Sequence, residues 1–246
     1  MPGITPQARI YSVTMTEPIV ESTEGVTLVA GGPVTRRDLA LALARAPHLV
    51  AADGGGDTAL RLGHMPRAVI GDMDSLSSEG RATLAGRVHH LAEQESTDFD
   101  KCLRNIRAPF VLALGVAGAR IDHGLAVMNG LVQRPDVTCL LVGPEDVVFH
   151  APPELRLRMR EGERFSLFPM APLRGTSRGL RWPIDEIPFA PGGRIGTSNI
   201  VSAPEVRLAF DRPGMLVILP RARLDAALRG LVPGWAGRGR TAARGE

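Results

Sequence analysis

Between Val26 and Gly143 the chain alternates short, wholly apolar runs with amphipathic segments, which leaves it few ways to fold. "VTLVAGG" (26–32), "HLVAAD" (48–53), "RAVIGD" (67–72), "RVHHLA" (87–92), "PFVLALG" (109–115) and "VTCLLVG" (137–143) read as strands. The segments 36–46, 56–63, 77–86, 97–107 and 122–133 between them read as helices. Strands without a polar face belong in a parallel sheet covered by helices on both sides. After Pro152-Pro153 the helical period stops, and runs such as "LRLRM", "RFSLFPM", "EVRLAF" and "GMLVILP" follow, punctuated by Gly and Pro. The expected class is α/β: a parallel-sheet three-layer domain over 25–150, then a small all-β sandwich domain over 151–232. A poorly ordered extension (1–24, with Met15 as a possible true start) and a disordered Gly/Arg tail (233–246) are expected to flank them.

Composition removes several functional classes. The net charge is +3, and six arginines from Arg221 onward account for most of the excess, so the body is near neutral. With 4% aromatic residues, neither a basic face nor a stacking platform for nucleic acid is indicated. No stretch approaches the ~20 apolar residues of a membrane span, and residues 1–25 lack a signal-peptide core. Two cysteines, Cys102 and Cys139, suit buried structural thiols better than a disulfide framework or a zinc site. A cytoplasmic setting follows. Lys101 is the single lysine among 29 basic residues, there either for its compact ammonium or by chance.

In an open parallel sheet, ligands bind beyond the carboxyl ends of the strands. Those ends carry Gly31-Gly32, Asp53-Gly54-Gly55-Gly56, Gly71-Asp72 with Asp74, Gln94 to Asp98, and Gly115 to His123, whereas the opposite ends carry ordinary residues. Asp72 and Asp74, two apart in an extended loop, are expected to point the same way about 6–7 Å apart. They serve either as turn and cap residues or as ligands of a hard divalent cation. Asp98 serves either as helix-start chemistry after Thr97 or as a further ligand, with Lys101 one turn on. The glycines of "GVAGARIDHG" (115–124) suit an anion at a helix start, with Arg120 and Asp122 nearby and His123 more structural than catalytic. In the second half, Trp182 is either a platform for an aromatic ligand or a core residue, and Ser198-Asn199 either bind a ligand or form a turn.

Taken together, "ADGGGDTALRLG…PRAVIGDMDS", "QESTDFDKCL", "GARIDHGLAVMN", "GLRWPI" and "GTSN" resemble the thiamine pyrophosphokinase family in order and spacing. The resemblance implies transfer of the pyrophosphoryl group of ATP to thiamine with release of AMP, dependence on Mg²⁺, and a homodimer whose thiamine site is completed across the interface. It implies metal binding by Asp72, Asp74 and Asp98, and nucleotide contacts from Asp53, Gly54, Gly55, Gln94, Thr97 and Arg120. It places Lys101 and Asp122 with the catalytic groups, and Trp182, Ser198 and Asn199 with thiamine; a general base is not readable from the residues, Asp98 and Asp122 both being open to the role and a weak base being enough for such a transfer. Gly56-Asp57 and Glu95 depart from the family's usual residues without removing a ligand. A related pyrophosphokinase acting on a hydroxymethyl-pterin and a non-catalytic nucleotide- or thiamine-binding regulatory module are the competing expectations.

Overall fold

The computed structural model describes residues 17–116 and 120–237. The expectations for the first 16 residues, for Gly118 and for the tail beyond 237 lie outside the described residues. The strands are β1 (Val20–Glu21), β2 (Val26–Val29), β3 (His48–Ala52), β4 (Ala68–Gly71), β5 (Val88–His90), β6 (Ile106–Arg107), β7 (Val111–Leu114) and β8 (Cys139–Val142). The second half adds β9 (Asp146–His150), β10 (Glu154–Arg158), β11 (Arg164–Pro169), β12 (Gly175–Arg178), β13 (Gly196–Ile200), β14 (Glu205–Phe210) and β15 (Met215–Pro220). The helices are α1 (Arg36–Leu43), α2 (Gly55–Arg61), α3 (Ser78–Thr83), α4 (Asp98–Asn105), α5 (Ile121–Gln133) and α6 (Leu224–Leu231).

The mixed α/β class matches the expectation, and β2, β3, β4, β5, β7 and β8 are all parallel. Their apolar residues alternate between faces. Val26, Leu28, Val50 and Ile70 pack with Phe99, Cys102, Leu103 and Leu131 of α4 and α5. Val29 and Leu49 pack with Leu39, Ala42 and Ala59 of α1 and α2, and Ala51 and Val69 with Leu84 after α3. Helix starts follow their caps: Thr35 forms a capping box with Asp38, and Ser77 and Thr97 accept from the third helical N–H of α3 and α4.

Three findings differ from the sequence expectation. The sheet does not end with the helices. Its order is β13-β11-β15-β9-β8-β7-β2-β3-β4-β5, so four antiparallel strands of the second half extend the parallel sheet edge to edge. A separate three-stranded sheet, β10-β14-β12, shares one core with them: Leu155, Leu157, Val206 and Leu208 pack in the same cluster as Phe149, Phe165 and Val217, and as Leu39 of α1. The second difference is α6, which the Arg-rich sequence concealed. Its apolar stripe, Leu224, Ala227 and Leu228, is buried against that core, and Asp225 holds Arg45, in the turn just after α1, through two hydrogen bonds of 2.5 and 3.0 Å. Order also begins before residue 25, since β1 pairs with β6 and Val20 is buried. Among the described residues, no helix is long and apolar enough to cross a membrane.

Candidate active site

The parallel strand order 8-7-2-3-4-5 reverses direction between β2 and β7, and the crevice outside the strand ends at such a switch point is where ligands bind. A cleft of about 640 Å³ opens there, lined by Gly31, Gly32 and Pro33 after β2, Asp53 and Gly54 after β3, Asp72 and Ser75 after β4, Ser96 to Asp98, Gly115 after β7, and Arg120 and His123 at the start of α5. Close backbone approach shapes it: a Cβ at Gly55 would lie 2.0 Å from the Val29 carbonyl oxygen, so only glycine lets α2 start against β2. Gly54 lines the cleft, whereas Gly55 is buried scaffold.

Carboxylates converge on this rim. One oxygen each from Asp53, Asp72 and Asp74 lies within 4.8 Å of the others. The route differs from an extended pair: Met73 has φ +64, so Asp72 and Asp74 flank a tight turn, and the Asp74 N–H donates to Asp72 Oδ1 at 3.3 Å. Arg81 of α3 donates to the Met73 carbonyl at 2.6 Å, and Asp57 of α2 accepts from Ser77 N–H and hydroxyl at 2.8 and 2.7 Å. The acid turn is thereby fastened to two helices. Asp53 is buried in a left-handed conformation, φ +43; its Oδ2 accepts the Ser75 N–H, and its Oδ1 is buried with no hydrogen-bond partner. Burial pushes its carboxyl above the ordinary 3.8; the Ser75 hydrogen bonds pull against this, and Asp74 and Asp98 add to the rise. An orphaned carboxylate oxygen among three crowded acids fits a hard divalent cation.

Asp98 stands beside this trio, and its placement differs from the expected ligand set. Its Oδ1 accepts the Asp72 N–H at 3.2 Å and the Lys101 ammonium at 3.1 Å. Lys101 is 1% exposed and reaches Asp72 Oδ2 at 3.5 Å. It is an internal counter-ion of the acids rather than an ammonium offered to a phosphate. Burial works against its charge, but Asp98 and Asp72 outweigh that and raise its pKa. The same holds in reverse for Asp72: burial disfavours its charge, yet the Asp74 N–H, Lys101 and Gln94 lower its pKa. Gln94 Nε2 lies 3.3 Å from Asp72 Oδ2. Thr97 lines the cleft while its hydroxyl caps α4.

At the start of α5, Arg120 grips Asp122 at 2.6 Å, both about two-thirds exposed. That hydrogen bond holds the Asp122 carboxyl at about 2, below the ordinary carboxylate value. His123 lines the cleft mouth, exposed rather than built into the core.

The second-half motifs form a separate pocket of about 350 Å³ at the β13 edge, lined by Trp182, Pro183, Ile187, Phe189, Ile195 and Ser198 among others. Trp182 is 53% exposed and so is not a core residue, and the Arg181 guanidinium lies 5.2 Å from its ring centroid. Asn199 also lines this pocket. It is buried, and its amide bonds the Trp182 N–H at 3.2 Å, the Trp182 carbonyl at 2.7 Å and the Ile200 N–H at 2.8 Å. Its hydrogen bonds go to the backbone that holds Trp182 out. Ser198, φ +62, lines the pocket.

Two family models match the chain: "Thiamin pyrophosphokinase, catalytic domain" over residues 39–141, and "Thiamin pyrophosphokinase, vitamin B1 binding domain" over 150–215. The chain belongs to the thiamin pyrophosphokinase family. The first match holds the acid rim and the second holds the Trp182 pocket. Thiamine pyrophosphokinase 1 of Oryza sativa subsp. japonica is 31% identical over 172 residues, which is 62% of this chain and 65% of the rice protein. Thiamine pyrophosphokinase 1 of Arabidopsis thaliana is 28% identical over 173 residues, 62% and 65% of the two chains. The alignments thus span just under two thirds of these relatives' own length. In fold, the chain is similar to thiamin pyrophosphokinase from Candida albicans, with a TM-score of 0.69, 15% identity, and 82% and 92% of the two chains covered. The Bacillus subtilis thiamine pyrophosphokinase superposes with a TM-score of 0.65 at 20% identity, over 80% of this chain and 98% of that one.

Proposed function

We propose that this chain transfers the pyrophosphoryl group of ATP to thiamine, giving thiamine diphosphate and AMP. The observation that carries the reading is the convergence of Asp53, Asp72 and Asp74 at a switch-point cleft, on a chain whose other half holds an exposed Trp in a pocket of mixed polar and apolar lining. We assign the nucleotide to the α/β part (25–150) and thiamine to the β part (151–232), read as a sandwich unit. Asp53, Asp72 and Asp74 would hold Mg²⁺, with Asp98 beside them. When bound, the ion would supply charge neutralisation for the phosphates. Glycine backbone at 31–32 and 115 lets the phosphates approach, and Arg120 lies at the mouth to meet their charge. Lys101 pairs with Asp72 and Asp98 and holds both carboxylates at the cleft. The thiamine hydroxyl oxygen bonds to the β-phosphorus as the bond from that phosphorus to the AMP oxygen breaks and the hydroxyl proton passes to water, a step that needs alignment and charge compensation more than covalent help from the protein.

We further propose that the working unit is a homodimer. Seven strand positions separate β13 from β3 in the sheet, on the order of 34 Å at ~4.8 Å per strand. A ligand filling the Trp182 pocket is too short to reach the acids of its own chain. Two copies could bring each pocket to the other's rim.

Incubation with ATP, Mg²⁺ and thiamine, assayed for AMP, tests the function. AMP formed with thiamine and not with a hydroxymethyl-pterin is expected. No AMP with thiamine at any Mg²⁺ concentration would overturn the reading.

A further inference from the structure

Glu93 follows β5 and does not line the cleft, yet its carboxylate organises the loop that carries Gln94, Thr97 and Asp98. Its Oε2 accepts the backbone N–H groups of Glu95 and Ser96 at 3.0 and 3.1 Å. Its Oε1 accepts the Ser96 hydroxyl and Arg104 Nη2, both at 2.5 Å. Arg104 also donates to Ser96 Oγ at 2.7 Å, and its Nε meets Asp100 Oδ2 at 3.1 Å. Asp100 is held in turn by two hydrogen bonds from Arg134, at 2.8 and 3.2 Å. A line of charges therefore ties the loop to α4 and to the end of α5, both of which bound the cleft.

A lone exposed ion pair would mean little for the fold. This one differs because it captures backbone. Two successive N–H groups point at one carboxylate oxygen, which fixes the path of the chain between Glu93 and the Thr97 cap. The two groups the loop delivers both meet Asp72: Gln94 at its Oδ2, Asp98 at its N–H. Glu93 and Arg104 are about 38% and 37% exposed, so water can replace their bonds when they are lost, and the fold has little at stake. What is at stake is the loop's preorganisation, to which the placement of reacting groups is sensitive.

We propose that Glu93, held by Arg104, is a positioning residue that shapes the 94–97 loop and thereby sets Gln94 and Asp98 against Asp72 for the nucleotide. This rests on the reading of the cleft as the nucleotide site. The variants are Glu93→Ala, Glu93→Gln, Arg104→Ala and the Glu93→Ala/Arg104→Ala pair, measured for KM and kcat, unfolding midpoint, and amide exchange at residues 94–97. Glu93→Ala is expected to raise the KM for ATP roughly five- to twentyfold and lower kcat by less than about threefold. Its midpoint stays near the wild type, and exchange quickens at 94–97 alone. Glu93→Gln, which keeps an acceptor without the charge, falls between. The double variant is no worse than Glu93→Ala, because one clamp is broken either way. Wild-type KM and wild-type exchange in Glu93→Ala would overturn the proposal, as would a lowered midpoint with unchanged KM. If the wild-type protein forms no AMP from ATP and thiamine, the functional reading fails instead, and the exchange measurement still judges the loop.

Discussion

If one copy's Trp182 pocket serves the other's acid rim, two crippled chains should repair each other. Asp72→Asn removes one of three crowded carboxylates yet keeps a side chain that can accept the Asp74 N–H, so the fold should survive while turnover is lost. Trp182→Ala removes a ring that is half exposed in the free chain and that a ligand would cover; the lost contact is worth about 2 kcal/mol, or roughly 30-fold in kcat/KM. In a symmetric dimer each site takes its acids from one chain and its Trp from the other. Random mixing makes half the dimers mixed, and one of the two sites in each mixed dimer takes an intact acid rim from one chain and an intact Trp182 from the other, so activity should recover to about a quarter of wild type. The assay is AMP release after the two inactive proteins are unfolded together and refolded, with subunit exchange followed by differently tagged chains. A double Asp72→Asn/Trp182→Ala chain mixed with wild type should add nothing beyond the wild-type dimers it leaves. No recovery despite demonstrated exchange would refute the strand-spacing argument, because it would mean that each chain completes its own site.

Three other outcomes follow from the same geometry. Lys101→Met should cost roughly 2–3 kcal/mol of stability by denaturant titration, less than a fully buried pair because Asp98 keeps some water; Mg²⁺ should raise the unfolding midpoint of this variant more than that of wild type, since the ion replaces the lost cation. Burial disfavours the Asp38 charge, but Thr35 and Arg221 outweigh it and depress its pKa below 3.8; its folded value being lowered, its contribution is full above the unfolded carboxylate range and lost as pH falls through the folded value. The midpoint gap between wild type and Asp38→Asn should therefore hold from about pH 7 to 5 and close below about pH 4. Gly55→Ala should destabilise by roughly 3 kcal/mol or more in the same titration, because its Cβ would press on the Val29 carbonyl, which the sheet holds in place.

Local chemistry wrote much of the first half into the sequence. A run such as 67–72 is apolar on both faces and so belongs inside a parallel sheet, and Thr35, Ser77 and Thr97 mark helix starts because their hydroxyls satisfy N–H groups a few residues away. The rim of acids was legible for the same reason, since parallel strands put all their following loops at one edge. What the sequence could not state were relations between distant segments. Asp53 and Asp72 are nineteen residues apart, and only the pairing of β3 with β4 brings their oxygens together. That Lys101 is enclosed with Asp72 and Asp98 shows only in the packing, because sequence places it one turn from Asp98 without saying whether it is buried. That Asn199, besides lining the pocket, bonds the Trp182 backbone through its amide shows only once β13 is in place. The continuation of the sheet through β9 and β15, and the burial of α6 beside Arg45, likewise depend on which edges meet. Periodicity and capping act over a few residues and are therefore readable in one dimension; burial, counter-ions and shared cores are settled by neighbours that only the folded chain supplies.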